Sequence, residues 1–129
     1  MTSVLYASLL ALLIVWLSLN VIGKRRQYRI STGHGDNHAL KIAIAAQSNA
    51  IEYIPIALLL LFALEFNGAH QLMVHGLGLV FVVGRLIHAR GLLTEVLNIR
   101  VLGMKITLYS IIALAVINLV YLPYIKLLG

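Results

Sequence analysis

Four long apolar segments, separated by short polar stretches, make up most of this chain of 129 residues. A helix needs about 20 predominantly apolar residues to cross the hydrocarbon core of a bilayer, and the segments approach or exceed that length. The pattern predicts helices over residues 4–23, 38–65, 71–90 and 101–123. We therefore expect an all-α protein, an integral membrane four-helix bundle formed by a single domain over residues 1–129.

The composition agrees with a membrane protein. Hydrophobic residues make up 61% of the chain and charged residues only 11%, whereas a soluble domain carries about 25% charged residues. So little chain lies outside the apolar segments that a soluble catalytic domain is excluded, and any site must lie within the bundle or its short loops. The chain has no cysteine, which excludes disulfides and a protein thiol nucleophile. The histidines and carboxylates lack metal-ligand spacing, so no metal site is predicted.

The net charge of +6 is unevenly distributed. Most cations lie near the first and third predicted loops, and only Lys126 lies at the other end of the bundle. The positive-inside rule therefore predicts that these two loops are cytoplasmic and that both termini are external. The basic loops are short and carry no interleaved aromatic residues, so nucleic-acid binding is not expected. The cations in question are Lys24, Arg25, Arg26, Arg29, Lys41, Arg85, Arg90, Arg100 and Lys105.

A polar stripe interrupts the second apolar segment. Asn49 and Glu52 are three residues apart, so they share one side of a helix. A charge at the centre of a membrane helix costs roughly 2.5–3.5 kcal/mol on insertion scales, and such residues usually face a bundle interior or a water-filled cavity. Asn37 is placed to cap this helix, and Pro55 is expected to kink it just beyond the stripe. The stripe is therefore the candidate functional region.

Four stretches of the sequence resemble the MAPEG family, the membrane-associated proteins of eicosanoid and glutathione metabolism. The most specific is Asn-x-x-Glu-Tyr-x-Pro at residues 49–55, accompanied by residues 19–31, 84–89 and 100–104. The short chain and small loops resemble the bacterial, inner-membrane branch. The resemblance implies a left-handed bundle that assembles as a homotrimer and holds glutathione at subunit interfaces near the cytoplasmic side. The second substrate would be a lipophilic small molecule taken from the lipid bilayer.

The resemblance also implies roles for individual residues. Glu52 would receive the amino group of glutathione, and Arg100, with Arg26 as the second catalytic candidate, would stabilise its thiolate. Two positions depart from the family pattern. An arginine common in members is replaced by Ala45, and a tyrosine by Leu92, which weakens carboxylate binding and removes a ring near the ligand. The candidates for contacting glutathione, as co-substrate, are Arg25, Asn49, Glu52, Tyr53, Arg85 and His88.

The chemistry of glutathione fits such a set of residues. Its thiol has an ordinary pKa of about 8.5, so only a few per cent is thiolate at pH 7. A guanidinium close to the sulfur favours the thiolate, because arginine stays charged. The predicted function is a glutathione transferase or peroxidase acting on lipophilic electrophiles. The alternatives are a non-catalytic membrane scaffold that has lost the activity and, less expected because the first helix has no carboxylate, a small transporter subunit.

Each residue also has a purely structural interpretation. Glu52 could pair with Arg85 or Lys41 to hold helices together, and Asn49 could join helices by hydrogen bonds. His88 could be a satisfied histidine between helices. The basic cluster at residues 24–29 could serve only to set the topology and to end the first helix.

Overall fold

The computed structural model describes the backbone of residues 1–129 and every side chain except those of Tyr124 and Ile125. Four of the helices in the described chain are long and apolar enough to cross a membrane. The prediction of an all-α, four-helix membrane bundle is confirmed, and a short fifth helix was not predicted. The helices are α1 (Thr2–Tyr28), α2 (His38–Phe66), α3 (Gln71–Leu93), α4 (Leu97–Tyr121) and α5 (Tyr124–Leu128).

The first helix is longer than its apolar segment. It continues through Arg25 and Arg26 to Tyr28, although the basic cluster was expected to end it near residue 23. Lysine and arginine are good helix formers, and their charges interact favourably with the C-terminal end of the helix dipole. Arg29 follows as the C-terminal cap, and its φ of 56° lies in the left-handed region.

The loop between α3 and α4 is shorter than predicted, since the predicted helices left residues 91–100 between them. Only residues 94–96 separate α3 from α4. Gly91 belongs to α3 and packs against the next helix so closely that a Cβ atom there would lie 2.2 Å from the backbone nitrogen of Arg100. Both helices therefore extend into their mutual contact, and Glu95, with a φ of 58°, makes the turn.

Glycines bring α3 and α4 together along the rest of their length. A Cβ atom on Gly103 would lie 2.3 Å from the backbone nitrogen of His88, and one on Gly84 would lie 2.6 Å from a side-chain carbon of Ile106. Gly78 allows a similar approach of α1, because a Cβ atom there would lie 2.6 Å from a ring carbon of Tyr6, whereas Gly76 has no atom within 4 Å of such a Cβ. The register of α4 against α3 follows from the contacts of Gly84 and Gly103.

Polar contacts tie the elements together at both ends of the bundle. At one end, the carboxylate of Glu65 accepts hydrogen bonds from the backbone N–H of Thr2 (2.6 Å) and the hydroxyl of Ser3 (2.8 Å), and so caps the start of α1 from the end of α2. At the other end, the His38 ring contacts the Glu95 carboxylate. The N-terminus and the second loop therefore share one end, and the first and third loops share the other.

The second helix carries the predicted polar stripe. Its N-terminus is capped as expected, because the Asn37 side chain accepts a hydrogen bond from the backbone N–H of Leu40 at 2.9 Å. The helix continues through Pro55 to Phe66. One side of α2 is buried in the bundle, and the other exposes large apolar side chains such as Leu59, which is the arrangement expected of a lipid-facing surface.

Candidate functional site

Arg85 lies at the centre of a polar cluster inside the bundle. Its side chain is 1% exposed. One terminal nitrogen, Nη2, donates to Asn49 Oδ1 at 2.6 Å and lies 3.5 Å from His88 Nδ1, and the other, Nη1, donates to Thr107 Oγ1 at 3.4 Å. The guanidinium therefore connects α2, α3 and α4. We call Asn49, Tyr53, Arg85, His88 and Thr107 the polar cluster.

Helical spacing and close packing explain how these side chains meet. Arg85 and His88 are three residues apart on the buried side of α3. Tyr53 follows Asn49 by one turn of α2, and its ring centre lies 5.8 Å from Arg85 Cζ, within the range of a cation–π contact. Thr107 reaches the cluster because α4 approaches α3 at Gly103, whose carbonyl accepts the threonine hydroxyl at 2.9 Å.

The guanidinium is not fully satisfied. Arg85 Nε is buried and has no hydrogen-bond partner among the described residues. An unused buried donor costs about 1–3 kcal/mol, and the positive charge has no carboxylate paired with it in the described part of the chain. The cluster is therefore electropositive, and it keeps one buried donor unpaired among the described residues.

Glu52 lies beside this cluster but faces the other way. It is exposed on the outer surface of α2, 14 residues after His38, which is about 21 Å along the helix axis. It makes no ion pair with any side chain that the structure describes. Arg85 is occupied by Asn49, and Lys41 pairs with Asp36 at 3.6 Å. The hypothesis that Glu52 pairs with Arg85 or Lys41 is therefore wrong within one chain.

The remaining predicted arginines lie nearer the end of the bundle formed by the first and third loops. Arg25 donates to the carbonyl oxygens of Ile30 (3.3 Å) and Gly33 (2.7 Å) and so stabilises the first loop. Arg26 is exposed at the end of α1. Arg100 is exposed at the start of α4, one turn before Gly103. None of these three arginines has a described hydrogen bond to the polar cluster.

Arg100 lies close to the cluster along α3. Its backbone packs against Gly91, three residues beyond His88. It also lines a small recess of about 140 Å³ at the turn between α3 and α4, together with Gly91 and Glu95. Arg100 therefore lies between the polar cluster and the end of the bundle that carries the first and third loops.

The two departures from the family pattern have different surroundings. Ala45 is exposed on α2, one turn before Asn49. Leu92 is 3% exposed and belongs to the apolar core. Ala45 lies on the same exposed side of α2 as Glu52, the side from which a ligand would approach, whereas the position of Leu92 is filled by core packing. Neither position supplies a polar group to the cluster.

Two polar contacts between helices were not predicted. Thr107 completes the polar cluster, and Gln47 donates to the Ser18 hydroxyl at 2.9 Å and joins α2 to α1. A polar residue within an apolar helix was the available signal for both. The partner could not be identified from sequence, because it depends on how far one helix is shifted along the other.

Comparisons with known proteins identify the family. The model of the MAPEG family matches residues 3–120. Two relatives, each named "Inner membrane protein YecN", come from Escherichia coli (strain K12) and Escherichia coli O6:H1 (strain CFT073). Each is 41% identical to this chain over 124 residues, which covers 96% of this chain and 95% of the relative. With its four membrane-spanning helices and the signature at residues 49–55 on α2, the chain belongs to the MAPEG family.

Proposed function

We propose that this protein binds glutathione within the membrane and acts as a glutathione transferase or peroxidase on lipophilic electrophiles. The observation that carries the proposal is Glu52, an exposed carboxylate about halfway along α2 without an ion-pair partner in the described chain. A carboxylate at this depth is costly unless a cation lies against it. The ammonium group of glutathione or an arginine of a neighbouring copy would supply that cation.

The distribution of charge supports a site between copies. Glu52 faces outward, and the exposed Arg26 and Arg100 are also available to a neighbour. In a homotrimer, Glu52 of one copy would face the arginines of the next, as expected for a closed head-to-tail assembly. Glutathione has two carboxylates and one ammonium group, so it would complement a site of this composition. Asn49 and Tyr53 would form its wall on α2.

The proposed chemistry depends on a thiolate held by arginine. A decrease of two units in the thiol pKa, equivalent to about 2.7 kcal/mol, would raise the thiolate fraction at pH 7 from a few per cent to most of the bound ligand. The sulfur would then form a bond to an electrophilic carbon while the leaving group departs with its bonding electrons. With a peroxide, the thiolate would attack the terminal oxygen, the O–O bond would break, and the alkoxide would leave and take a proton from water. The resulting sulfenic acid of glutathione would react with the thiol of a second glutathione to form the disulfide and release water. Arg100 and Arg26 are the candidates for holding the thiolate.

Titration calorimetry of purified protein with glutathione tests the proposal. We expect saturable binding by the unaltered protein and at least a tenfold weaker affinity for Glu52→Gln, because a lost charge-assisted hydrogen bond costs about 1.5–3 kcal/mol. Asp36→Asn is the matched control, since that carboxylate is exposed in the first loop, and it should bind like the unaltered protein. Absence of saturable heat at millimolar glutathione, or equal affinity in Glu52→Gln, would contradict the proposal.

One observation favours a second candidate, a scaffold protein without activity. Asn49 already accepts a hydrogen bond from Arg85, and neither Ala45 nor Leu92 offers a polar group. In that case the unaltered protein would bind no glutathione, and the double substitution Ala45→Arg with Leu92→Tyr should create binding. Turnover of a model electrophile by the unaltered protein would eliminate this candidate.

We also propose that the protein resides in the inner membrane with its first and third loops in the cytoplasm. The two loops share one end of the bundle through the contact between His38 and Glu95, and most cations lie at that end. Because the chain has no cysteine, single cysteines report topology without background. Asn67→Cys in the second loop should react with an impermeant maleimide from the outside, whereas Ser31→Cys should not. The reverse pattern would overturn the orientation.

A further inference from the structure

A cleft between α1 and α3 opens on the outer surface of the bundle. Its apolar part has a volume of about 770 Å³. Leu9, Leu12 and Trp16 line one wall from α1, and Leu86 lines the other from α3. The exposed apolar side chains of this cleft have no covering element within the described chain, although they are arranged around a concave space rather than a flat surface.

The cleft continues toward the end of the bundle that carries the first and third loops. Trp16 and Leu93 also border a second recess of about 370 Å³, which reaches Asn20 and Lys24 on α1. Arg90 borders the first part on the α3 side, one turn before Leu93, which borders both parts. The two parts therefore form one continuous groove, apolar along most of its length and basic at its mouth.

The charges at the mouth leave an unbalanced positive site. The side chains of Lys24 and Arg90 have no ion pair or hydrogen bond in the described part of the chain. Glu95 also borders this part of the groove and contacts the His38 ring, so two cations and one carboxylate leave the mouth with a net positive charge. The mouth therefore favours an anionic group held between the cations on α1 and α3.

The dimensions of the groove match one leaflet of a bilayer. From Leu9 to Trp16, α1 rises about 10 Å, and from Leu9 to Lys24 about 22 Å. One leaflet contributes about 15 Å of hydrocarbon, half of a core of about 30 Å. The apolar walls thus lie within the hydrocarbon of one leaflet, while Lys24 lies at the level of the lipid headgroups.

From these observations we infer that the α1–α3 groove is a binding site for an anionic phospholipid of the surrounding bilayer. One acyl chain lies against Trp16 and Leu86, and the headgroup phosphate pairs with Arg90 and Lys24. The groove shares no residue with the polar cluster or with Glu52, so lipid binding here is independent of the proposed glutathione chemistry. Bound lipid would fill the space between α1 and α3 and hold the two helices at a fixed separation.

The position of Trp16 allows a direct test without any substitution. It is the only tryptophan in the chain, and it borders both parts of the groove. The protein is reconstituted in vesicles of phosphatidylcholine that contain a minor, equal fraction of either brominated phosphatidylglycerol or brominated phosphatidylcholine. Because bromine quenches tryptophan fluorescence at contact range, we expect the anionic lipid to quench Trp16 several-fold more effectively. Equal quenching by the two lipids, as would follow if another copy of the chain covered the groove, overturns the inference.

Charge-matched double variants test whether the preference comes from the groove. Lys24→Gln with Arg90→Gln should abolish the preference for the anionic lipid. The control, Arg29→Gln with Lys41→Gln, removes the same charge at the same end of the bundle but outside the groove, and it should keep the preference. Loss of the preference in both pairs, or in neither, would mean that general surface charge attracts the lipid and would overturn the site. If the first pair does not fold, the comparison of the two lipids on the unaltered protein still decides the question.

Discussion

Substitution of Gly103 by alanine should separate α3 from α4 and disturb the polar cluster. The new Cβ atom would lie 2.3 Å from the backbone nitrogen of His88 and 2.5 Å from its Cα. Atoms in contact normally stay about 3.5–4.0 Å apart, so the helices must separate by at least about 1 Å. Both obstructing atoms belong to the backbone, so no side-chain rotation relieves the clash. The hydrogen bond from Arg85 to Thr107, already 3.4 Å long, would be lost with this movement.

The size of the effect follows from two opposing contributions. Overpacking with backbone displacement costs about 1–3 kcal/mol, and sometimes more. Replacement of glycine by alanine in a helix returns up to about 1 kcal/mol. Because the contact at Gly103 is far shorter than a normal packing distance, we expect an overpacking cost of about 3 kcal/mol. After the gain from alanine, the free energy of unfolding should fall by about 2 kcal/mol.

The assay is unfolding in mixed detergent micelles as the fraction of sodium dodecyl sulfate is raised, followed by circular dichroism. Gly23→Ala is the matched control, because it is also within a helix and a Cβ atom there meets nothing within 4 Å. It should be as stable as the unaltered protein or more stable by up to about 1 kcal/mol. If Gly103→Ala behaves like Gly23→Ala, the close contact between α3 and α4 does not exist and the position of Thr107 in the polar cluster is wrong.

Two further substitutions test polar contacts between helices. Thr107→Val removes the acceptor for Arg85 Nη1 and should lower the free energy of unfolding by about 1–3 kcal/mol. Ser110→Ala is the control and should have a much smaller effect, because among the described residues its hydroxyl bonds only within its own helix, to the carbonyl of Ile106. Equal losses of stability in the same detergent titration would contradict the bridging role of Thr107. Glu65→Ala removes the carboxylate that caps α1 and should cost about 1 kcal/mol, seen as faster amide exchange in residues 2–5; unchanged exchange would show that the cap does not stabilise that turn.

The sequence was sufficient for the four helices because a bilayer requires long apolar segments and leaves few alternatives. The ends of the helices were not predictable to the same degree. Lys24 to Arg26 were taken as the end of α1, although they are good helix formers, and Gly91 was assigned to a loop, although it belongs to a tight contact between helices. In both cases the composition indicates the general character of the segment, but the end of the helix depends on packing against its neighbours, which composition does not show.

The site shows the same limit. That Asn49 has a polar partner on another helix was foreseeable from its place in an apolar segment. That the partner is Arg85, and that Thr107 joins them, depends on the register between three helices, which glycine contacts distant in sequence determine. The outward direction of Glu52 likewise depends on where α3 packs against α2. A single sequence contains these constraints only indirectly.

Complementation between copies tests most directly the central proposal, that Glu52 of one copy and Arg100 of a neighbouring copy form one glutathione site. Copies carrying Glu52→Gln and copies carrying Arg100→Met are co-expressed in equal amounts, and glutathione bound per copy of the chain is measured in the mixed and the separate preparations. Each variant alone should bind little. In random mixtures, half of the copies offer an intact Glu52 and half of their neighbours an intact Arg100, so about a quarter of the sites should recover in a head-to-tail trimer. Recovery near that fraction is the predicted result, and no recovery above the separate variants would contradict the claim.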